Sequence, residues 1–170
     1  MSIKVVLLDL DCTVADTRHR AHLAPEDKTN TQNWINYSKA CVEDIPLAGP
    51  IRTVQLLSEQ YPIFVVSGRN TEARAETLSW MIVHKVPFTR MRLHNRYDIR
   101  HNGEYKAAYV RELRAQGYDP ILMLEDHEEV SRLVEAEGVP VLTVNPRFTD
   151  TIGVSFNVMG GVNTPKESLV

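Results

Sequence analysis

Two carboxylates one residue apart, Asp9 and Asp11, end the run Val5-Val6-Leu7-Leu8-Asp9-Leu10-Asp11-Cys12-Thr13-Val14. At the end of an extended segment, an i, i+2 spacing lets one carboxylate point into a crevice while the other leans over it from the loop. One can then attack an electrophile and the other can carry a proton. Polar residues follow other short apolar runs in the same way: Ser67-Gly68-Arg69 after Ile63-Phe64-Val65-Val66, and Glu125-Asp126 after Ile121-Leu122-Met123-Leu124. Acids, a hydroxyl and a cation such as Lys106 together suit phosphoryl transfer. That reaction needs an in-line nucleophile, neutralised equatorial oxygens and a proton for the leaving group. A hard cation held by carboxylates points to Mg²⁺, with side-chain oxygens from Asp9 and Asp126 and the backbone carbonyl of Asp11. The Asp11 side chain is then free to serve as general acid and then base, while Ser67 and Lys106 clamp the phosphoryl oxygens.

The elements that must position these groups follow from the apolar pattern. A continuous apolar run, unlike an alternating one, fits the centre of a parallel sheet covered on both faces, and ligands of such sheets sit beyond the carboxyl ends of the strands. Five strands are expected, near residues 5–8, 63–66, 91–93, 121–124 and 139–144, alternating with amphipathic helices. The expected fold is a three-layer α/β/α sandwich with a parallel, Rossmann-like sheet and right-handed crossovers. It puts Asp9, Asp11, Ser67, Lys106 and Asp126 on one edge. Ser67 is expected between a strand end and a helix N-terminus, and Lys106 in the first turn of a helix over about 104–116, where a cation opposes the helix dipole. Residues 15–46 break the rhythm and read as a small lid insert with one amphipathic helix through Trp34, Tyr37, Ser38 and Cys41. The core spans 1–150, and 151–170 is a tail with no clear period.

At 170 residues with 43% hydrophobic content the chain is one domain with one sizeable core. A net charge of −3 gives no global attraction to nucleic acid or an anionic membrane. Any such binding rests on a local cluster, and Arg90, Arg92, Arg96, Arg100 and Lys106 make the most basic stretch. The two cysteines, Cys12 and Cys41, form neither a metal-ligand spacing nor a disulfide framework. No secretory leader and no run of ~20 apolar residues is present. The expectation is a soluble cytoplasmic protein.

The sequence Asp9-Leu10-Asp11-Cys12-Thr13, together with Ser67, Lys106 and Asp126 in this order, resembles the four motifs of the haloacid dehalogenase-like (HAD) phosphatases over roughly residues 3 to 148. Within that superfamily the resemblance is strongest to the 3′-phosphatase domain of bacteriophage polynucleotide kinase/phosphatase. It rests on Asp9 to Thr13, Arg20 eleven residues beyond Asp9, Ser67 to Arg69, Asp98-Ile99-Arg100 through Lys106, and Glu125-Asp126. A kinase half is not implied, since no Gly-x-x-x-x-Gly-Lys-Ser/Thr loop occurs. The sequence departs from the pattern at Cys12, where Gly is usual, and at Glu125, where Asp is usual. The second departure makes Asp126 the metal ligand and leaves Glu125 one step removed from the ion, with Glu129 as a further acid nearby. The resemblance implies a Mg²⁺-dependent phosphomonoesterase with an aspartyl-phosphate intermediate, acting on phosphorylated nucleic-acid ends or nucleotides. Thr13, Arg20, Gly68, Arg69, Arg96 and Arg100 are the expected substrate-binding residues, the arginines forming a positive rim around an open site.

Three other readings compete. A phosphatase for a small metabolite would share the chemistry but not the rim. A receiver-like signalling domain would need an acceptor Asp on a middle strand, where Ser67 stands. A catalytically dead scaffold has no use for Asp9, Asp11, Lys106 and Asp126 together.

Overall fold

The computed structural model describes residues 2–144; the tail expected at 151–170 lies outside the described residues. Five parallel strands, β1 (Ile3–Leu8), β4 (Ile63–Asn70), β5 (Arg90–His94), β6 (Tyr118–Glu125) and β7 (Val141–Thr143), form one sheet in the order β5-β4-β1-β6-β7. A two-stranded antiparallel ribbon, β2 (Ala15–Asp16) with β3 (Ile45–Pro46), stands apart from it. The helices are α1 (Ile35–Lys39), α2 (Ala48–Ser58), α3 (Arg74–Val83), α4 (Asn102–Ala115) and α5 (Glu128–Ala136).

Strand periodicity divides the core. Alternate residues of β1 and β4 face opposite layers. Val6, Leu8, Ile63 and Val65 pack with Val54 of α2 and Trp80 and Met81 of α3. Val5, Leu7, Phe64 and Val66 pack with Tyr109, Val110 and Leu113 of α4 and Val130 and Val134 of α5. All eight strand residues are buried. This two-sided burial explains why the strands read as unbroken apolar runs.

The strand order also fixes where a site can form. The chain steps from β1 to β4 to β5, then returns to place β6 on the other side of β1. The connections leaving β1 and its neighbours diverge at their carboxyl ends, and the crevice they open lies at Asp9.

The insert departs from its expected form. The ribbon, pairing Ala15 with Pro46 and Asp16 with Ile45, closes the base of residues 17–44. In place of one amphipathic helix, 3₁₀ turns at Thr31–Trp34 and Ala40–Glu43 flank the five-residue α1. The polar character of this stretch leaves too few apolar positions for a longer stripe, and only Ser38 of α1 is buried.

Candidate active site

After β1 the chain turns sharply. The Leu10 carbonyl accepts from the backbone N–H of Val14 at 2.9 Å and of Ala15 at 3.0 Å, and the Cys12 N–H donates back to Ala15 O at 2.8 Å. This closure needs a left-handed residue at Cys12, whose φ is +60°. The position where the resembled motif carries Gly is thus the one that demands Gly-like backbone. Cys12 occupies it, with Sγ 3.3 Å from Thr17 Oγ1, and burial lifts its thiol to a pKa of about 11.

The turn sends the two aspartates to different environments. Asp9 is 4% exposed. Its Oδ1 accepts from the Lys106 ammonium at 2.6 Å, and the same nitrogen reaches Glu125 Oε2 at 2.7 Å. Thr13 Oγ1 stands 3.1 Å from Asp9 Oδ2 and 3.3 Å from Asp126 Oδ1. Ligand atoms of Asp9, Glu125 and Asp126 all lie within 4.8 Å of one another. Three acids facing one lysine leave an excess of negative charge. Burial, and then Glu125, push the Asp126 carboxyl up to a pKa of about 7. Burial also raises Asp9 well above the carboxylate range, against the pull of Lys106. For Lys106, burial favours the neutral amine, but Asp9 and Glu125 outweigh it and keep the ammonium charged. A divalent cation is the natural relief for such a group. The carboxylates of Asp9 and Asp126 fit Mg²⁺, which takes one or two such ligands and keeps its waters. Glu125 lies beside the other two acids, with Oε2 accepting from Lys106 at 2.7 Å and Oε1 from the His127 N–H at 3.1 Å, so both of its oxygens are engaged by the protein. Glu129 is exposed in the first turn of α5 and outside the group.

Asp11 faces the other way. Its Oδ1 accepts from Arg20 Nη2 at 2.7 Å and from Arg69 Nε at 2.8 Å. Burial alone would raise its pKa, but Arg69 and Arg20 outweigh that and hold the carboxyl below its ordinary value. Two guanidinium groups thus hold the Asp11 side chain and set its proton chemistry.

Those arginines also correct the expected rim. Arg20 is 0% and Arg69 1% exposed. Both bond Asp44, through Arg20 Nε to Oδ1 at 2.7 Å and Arg69 Nη2 to Oδ2 at 2.9 Å. His19 Nε2 lies 2.8 Å from the same Asp44 Oδ1, and the Trp80 indole donates to the Asp44 carbonyl at 2.8 Å. Two buried cations need two anions, here the buried Asp44 and the partly exposed Asp11. They form a balanced knot between the insert and β4, with Arg69 alone of the two also lining the pocket. Of the expected rim, Arg100 lines the pocket and is ion-paired with Asp98, whereas Arg96 pairs with Glu72 at 3.0 Å beside a neighbouring groove.

Ser67 lies inside β4, next to a register shift between Ser67 and Asn70, and α3 begins only at Arg74 after a 3₁₀ turn capped by Asn70. It is thus a strand residue at a bulge, with Oγ accepting from the Arg69 N–H at 3.2 Å. Lys106 is the fifth residue of α4, past the unfavourable first turn, and is fully buried. Gly68 makes room for Asn102, because a Cβ at Gly68 would sit 3.0 Å from Asn102 Oδ1. Asp44 and Asn102 escaped the sequence reading. An aspartate in a polar insert and an asparagine at the first position of a helix have no local signature.

The pocket holds about 360 Å³ between Asp9, Asp11, Ser67, Arg69 and Asp126 on the core side and Trp34 and Tyr37 of the insert. It brings together a buried carboxylate on a lysine, an acid group suited to a cation, and a second carboxylate with its own charge environment.

The model of the polynucleotide kinase PNKP phosphatase domain family matches residues 3–147. No curated protein matches the sequence. Among solved structures, a chain of the Pnkp1/Rnl/Hen1 RNA repair complex superposes with a TM-score of 0.68 at 19% identity, over 85% of this chain and 43% of that one. This chain therefore spans less than half the length of that relative. A haloacid dehalogenase-like hydrolase from Streptococcus pneumoniae gives 0.61 at 16% identity, covering 84% and 85% of the two chains. A HAD family enzyme from Bacteroides thetaiotaomicron, solved with magnesium and inorganic phosphate, gives 0.54 at 12% identity, covering 91% and 98%.

Proposed function

The chain belongs to the family of polynucleotide kinase PNKP phosphatase domains, and from that membership we propose that it is a Mg²⁺-dependent phosphomonoesterase that removes 3′-phosphates from nucleic-acid ends or nucleotides. The observation that carries the reading is the divergence of Asp9 and Asp11. Two carboxylates two residues apart with opposite surroundings suit two different roles. Asp9, at the bottom of the crevice, attacks phosphorus; the bond from phosphorus to the ester oxygen breaks as an aspartyl-phosphate forms. The leaving oxygen takes its proton from Asp11. Water then attacks phosphorus, Asp11 accepts the proton, and the Asp9 carboxylate returns as phosphate departs. Asp9, Asp126 and the Asp11 carbonyl would hold Mg²⁺, which would supply neutralisation of the phosphoryl charge.

Around that chemistry the chain's own residues orient the reaction. Lys106 and Thr13 fix the two oxygens of Asp9 at 2.6 and 3.1 Å, which holds the nucleophile without rotamer search. Ser67, Gly68 and Arg69 line the pocket beside Asp9 and would serve as a fixed electrostatic clamp on the phosphoryl oxygens. Because Asp11 is held ionised by Arg20 and Arg69, it is ready as the base of the second step. To act as acid in the first, it must carry a proton despite those arginines.

No helix among the described residues is long and apolar enough to cross a membrane, and Cys12 and Cys41 are free thiols. A cytoplasmic setting is part of the proposed function.

The experiment is a substrate panel with Mg²⁺: a 3′-phosphorylated oligonucleotide, nucleoside 3′- and 5′-monophosphates and sugar phosphates. The expected result is highest kcat/KM on the 3′-phosphorylated nucleic acid, with a KM that rises with salt as phosphate contacts weaken. A sugar phosphate turned over with far higher kcat/KM than any nucleotide would overturn the substrate while leaving the aspartate chemistry in place.

A further inference from the structure

Beside the catalytic pocket lies a second concavity of about 410 Å³, between the insert residues Thr29 to Gln32 and the loop that follows β5, with Arg96, Tyr97 and Ile99. Thr29 and Thr31 line both the pocket and this groove, so the two adjoin across these residues. Thr31 also ties the walls together, its hydroxyl donating to the Arg96 carbonyl at 2.8 Å while Asn70 Nδ2 donates to its own carbonyl at 2.9 Å.

The far wall is unusual for a surface loop. Tyr97 is 73% and Ile99 89% exposed, with the Arg96 guanidinium 5.0 Å from the Tyr97 ring centroid. The Arg96 Nε is buried without a hydrogen-bond partner, although Nη1 reaches Glu72. An exposed aromatic ring beside a cation, at the mouth of a phosphate-handling pocket, fits a nucleobase and the phosphate next to it. Bases stack on such rings with little regard to sequence.

Resting on the substrate reading above, we propose that this groove seats the nucleotide that precedes the phosphorylated one, its base against Tyr97 and Ile99 and its phosphate beside Arg96. The occupant is single-stranded nucleic acid. A duplex end would have to unpair to bring one base to this wall, and the side chains present offer stacking faces and a cation rather than a fixed pattern for reading base edges.

The test compares kcat/KM for a nucleoside 3′-monophosphate with that for a 3′-phosphorylated dinucleotide, in the native chain and in Tyr97→Ala, Tyr97→Phe and Ile99→Ser. The dinucleotide is expected to be favoured about tenfold, as loss or gain of one stacked base typically gives. That ratio should fall towards one in Tyr97→Ala, fall in part in Ile99→Ser, and survive in Tyr97→Phe, which keeps the ring. The exposed positions of both side chains make these variants safe for folding. Equal kcat/KM on the mono- and dinucleotide in the native chain would overturn the groove while leaving the proposed function standing. A dinucleotide preference that persists in Tyr97→Ala would overturn it too. Turnover of p-nitrophenyl phosphate with none of either nucleotide would overturn both.

Discussion

The Lys106 ammonium bonds Asp9 at 2.6 Å and Glu125 at 2.7 Å, so one buried cation compensates two buried acids. Lys106→Met keeps much of the volume and removes the charge. Breaking a buried pair by removing one partner typically costs ~3–5 kcal/mol. A loss of that order is expected from urea unfolding at neutral pH without metal, and it should shrink near pH 4, where the acids regain protons. A variant equally destabilised at both pH values would show that packing, not charge, accounts for the loss.

Asp9→Asn should reduce turnover to background without unfolding the chain, since the amide matches the carboxylate in shape but cannot attack phosphorus. It can still accept a hydrogen bond from Lys106 through its remaining oxygen. The check pairs the activity assay with circular dichroism. Normal turnover in a folded Asp9→Asn protein would end the aspartyl-phosphate mechanism.

Stability without metal should carry the signature of the acid group. Burial and Glu125 hold the Asp126 pKa at about 7 in the folded chain, above the 3.8 of an ordinary aspartate. Between those values the folded state keeps a proton that the unfolded state has released. Stability contributed by this group therefore falls as pH rises through that window. His94 pulls the opposite way, because burial lowers its pKa and it adds stability as pH rises. The discriminating quantity is the difference between the native chain and Asp126→Asn, measured by thermal melts in chelator from pH 4.5 to 7.5. The variant should gain on the native protein as pH increases, and added Mg²⁺ should reverse that order. Parallel melting curves across the range would remove the charge-crowding account.

Much of the fold was legible because its signal is local. The two-sided burial of β1 and β4 is written as unbroken apolar runs, and the carboxyl ends of those runs carry Asp9, Ser67 and Glu125 at the switch point. What stayed hidden depends on contacts between distant positions. Arg20 and Arg69, 49 residues apart in sequence, looked like surface cations because arginine usually is one. Only the packing of the insert against β4 buries them and supplies Asp44. Glu125 stands where the pattern has Asp, and its partner Lys106, 19 residues away in sequence, is visible only in the packing. The 3₁₀ character of the insert was unreadable for a simpler reason: its apolar residues are too sparse to set any period.

Asp11→Asn should reveal whether Asp11 moves protons. General acid and base help is worth ~10²–10⁴-fold in rate, and the loss should be greatest for alkyl phosphates and small for p-nitrophenyl phosphate, whose leaving group needs no proton. Because Arg69 and then Arg20 hold the Asp11 carboxyl low, Arg69→Gln should raise its pKa and move the acidic limb of the kcat profile to higher pH. An equal loss on both substrates in Asp11→Asn would assign Asp11 to phosphate binding instead.

The knot beneath Asp11 makes a separate prediction for Asp44, which touches neither the pocket nor the acid group. Asp44 accepts from Arg20 at 2.7 Å and from Arg69 at 2.9 Å, and its side chain is 0% exposed. In Asp44→Asn the amide retains one acceptor oxygen but not the charge, so two guanidinium groups are left with Asp11 as their one close anion. The first effect is on stability, a loss of ~3–5 kcal/mol for an uncompensated buried charge. The second is on catalysis. Both arginines then bear more strongly on Asp11, its pKa drops further, and protonating it for the first step becomes harder, while it stays ionised for the second. At pH 6 to 7 the rate on alkyl phosphates should fall more than the rate on p-nitrophenyl phosphate, and the acidic limb should move opposite to that of Arg69→Gln. Comparing the two substrates within the one variant separates this effect from misfolding, which lowers both rates equally. A uniform loss on both substrates with an unmoved pH profile would make Asp44 a purely structural tie between the insert and β4.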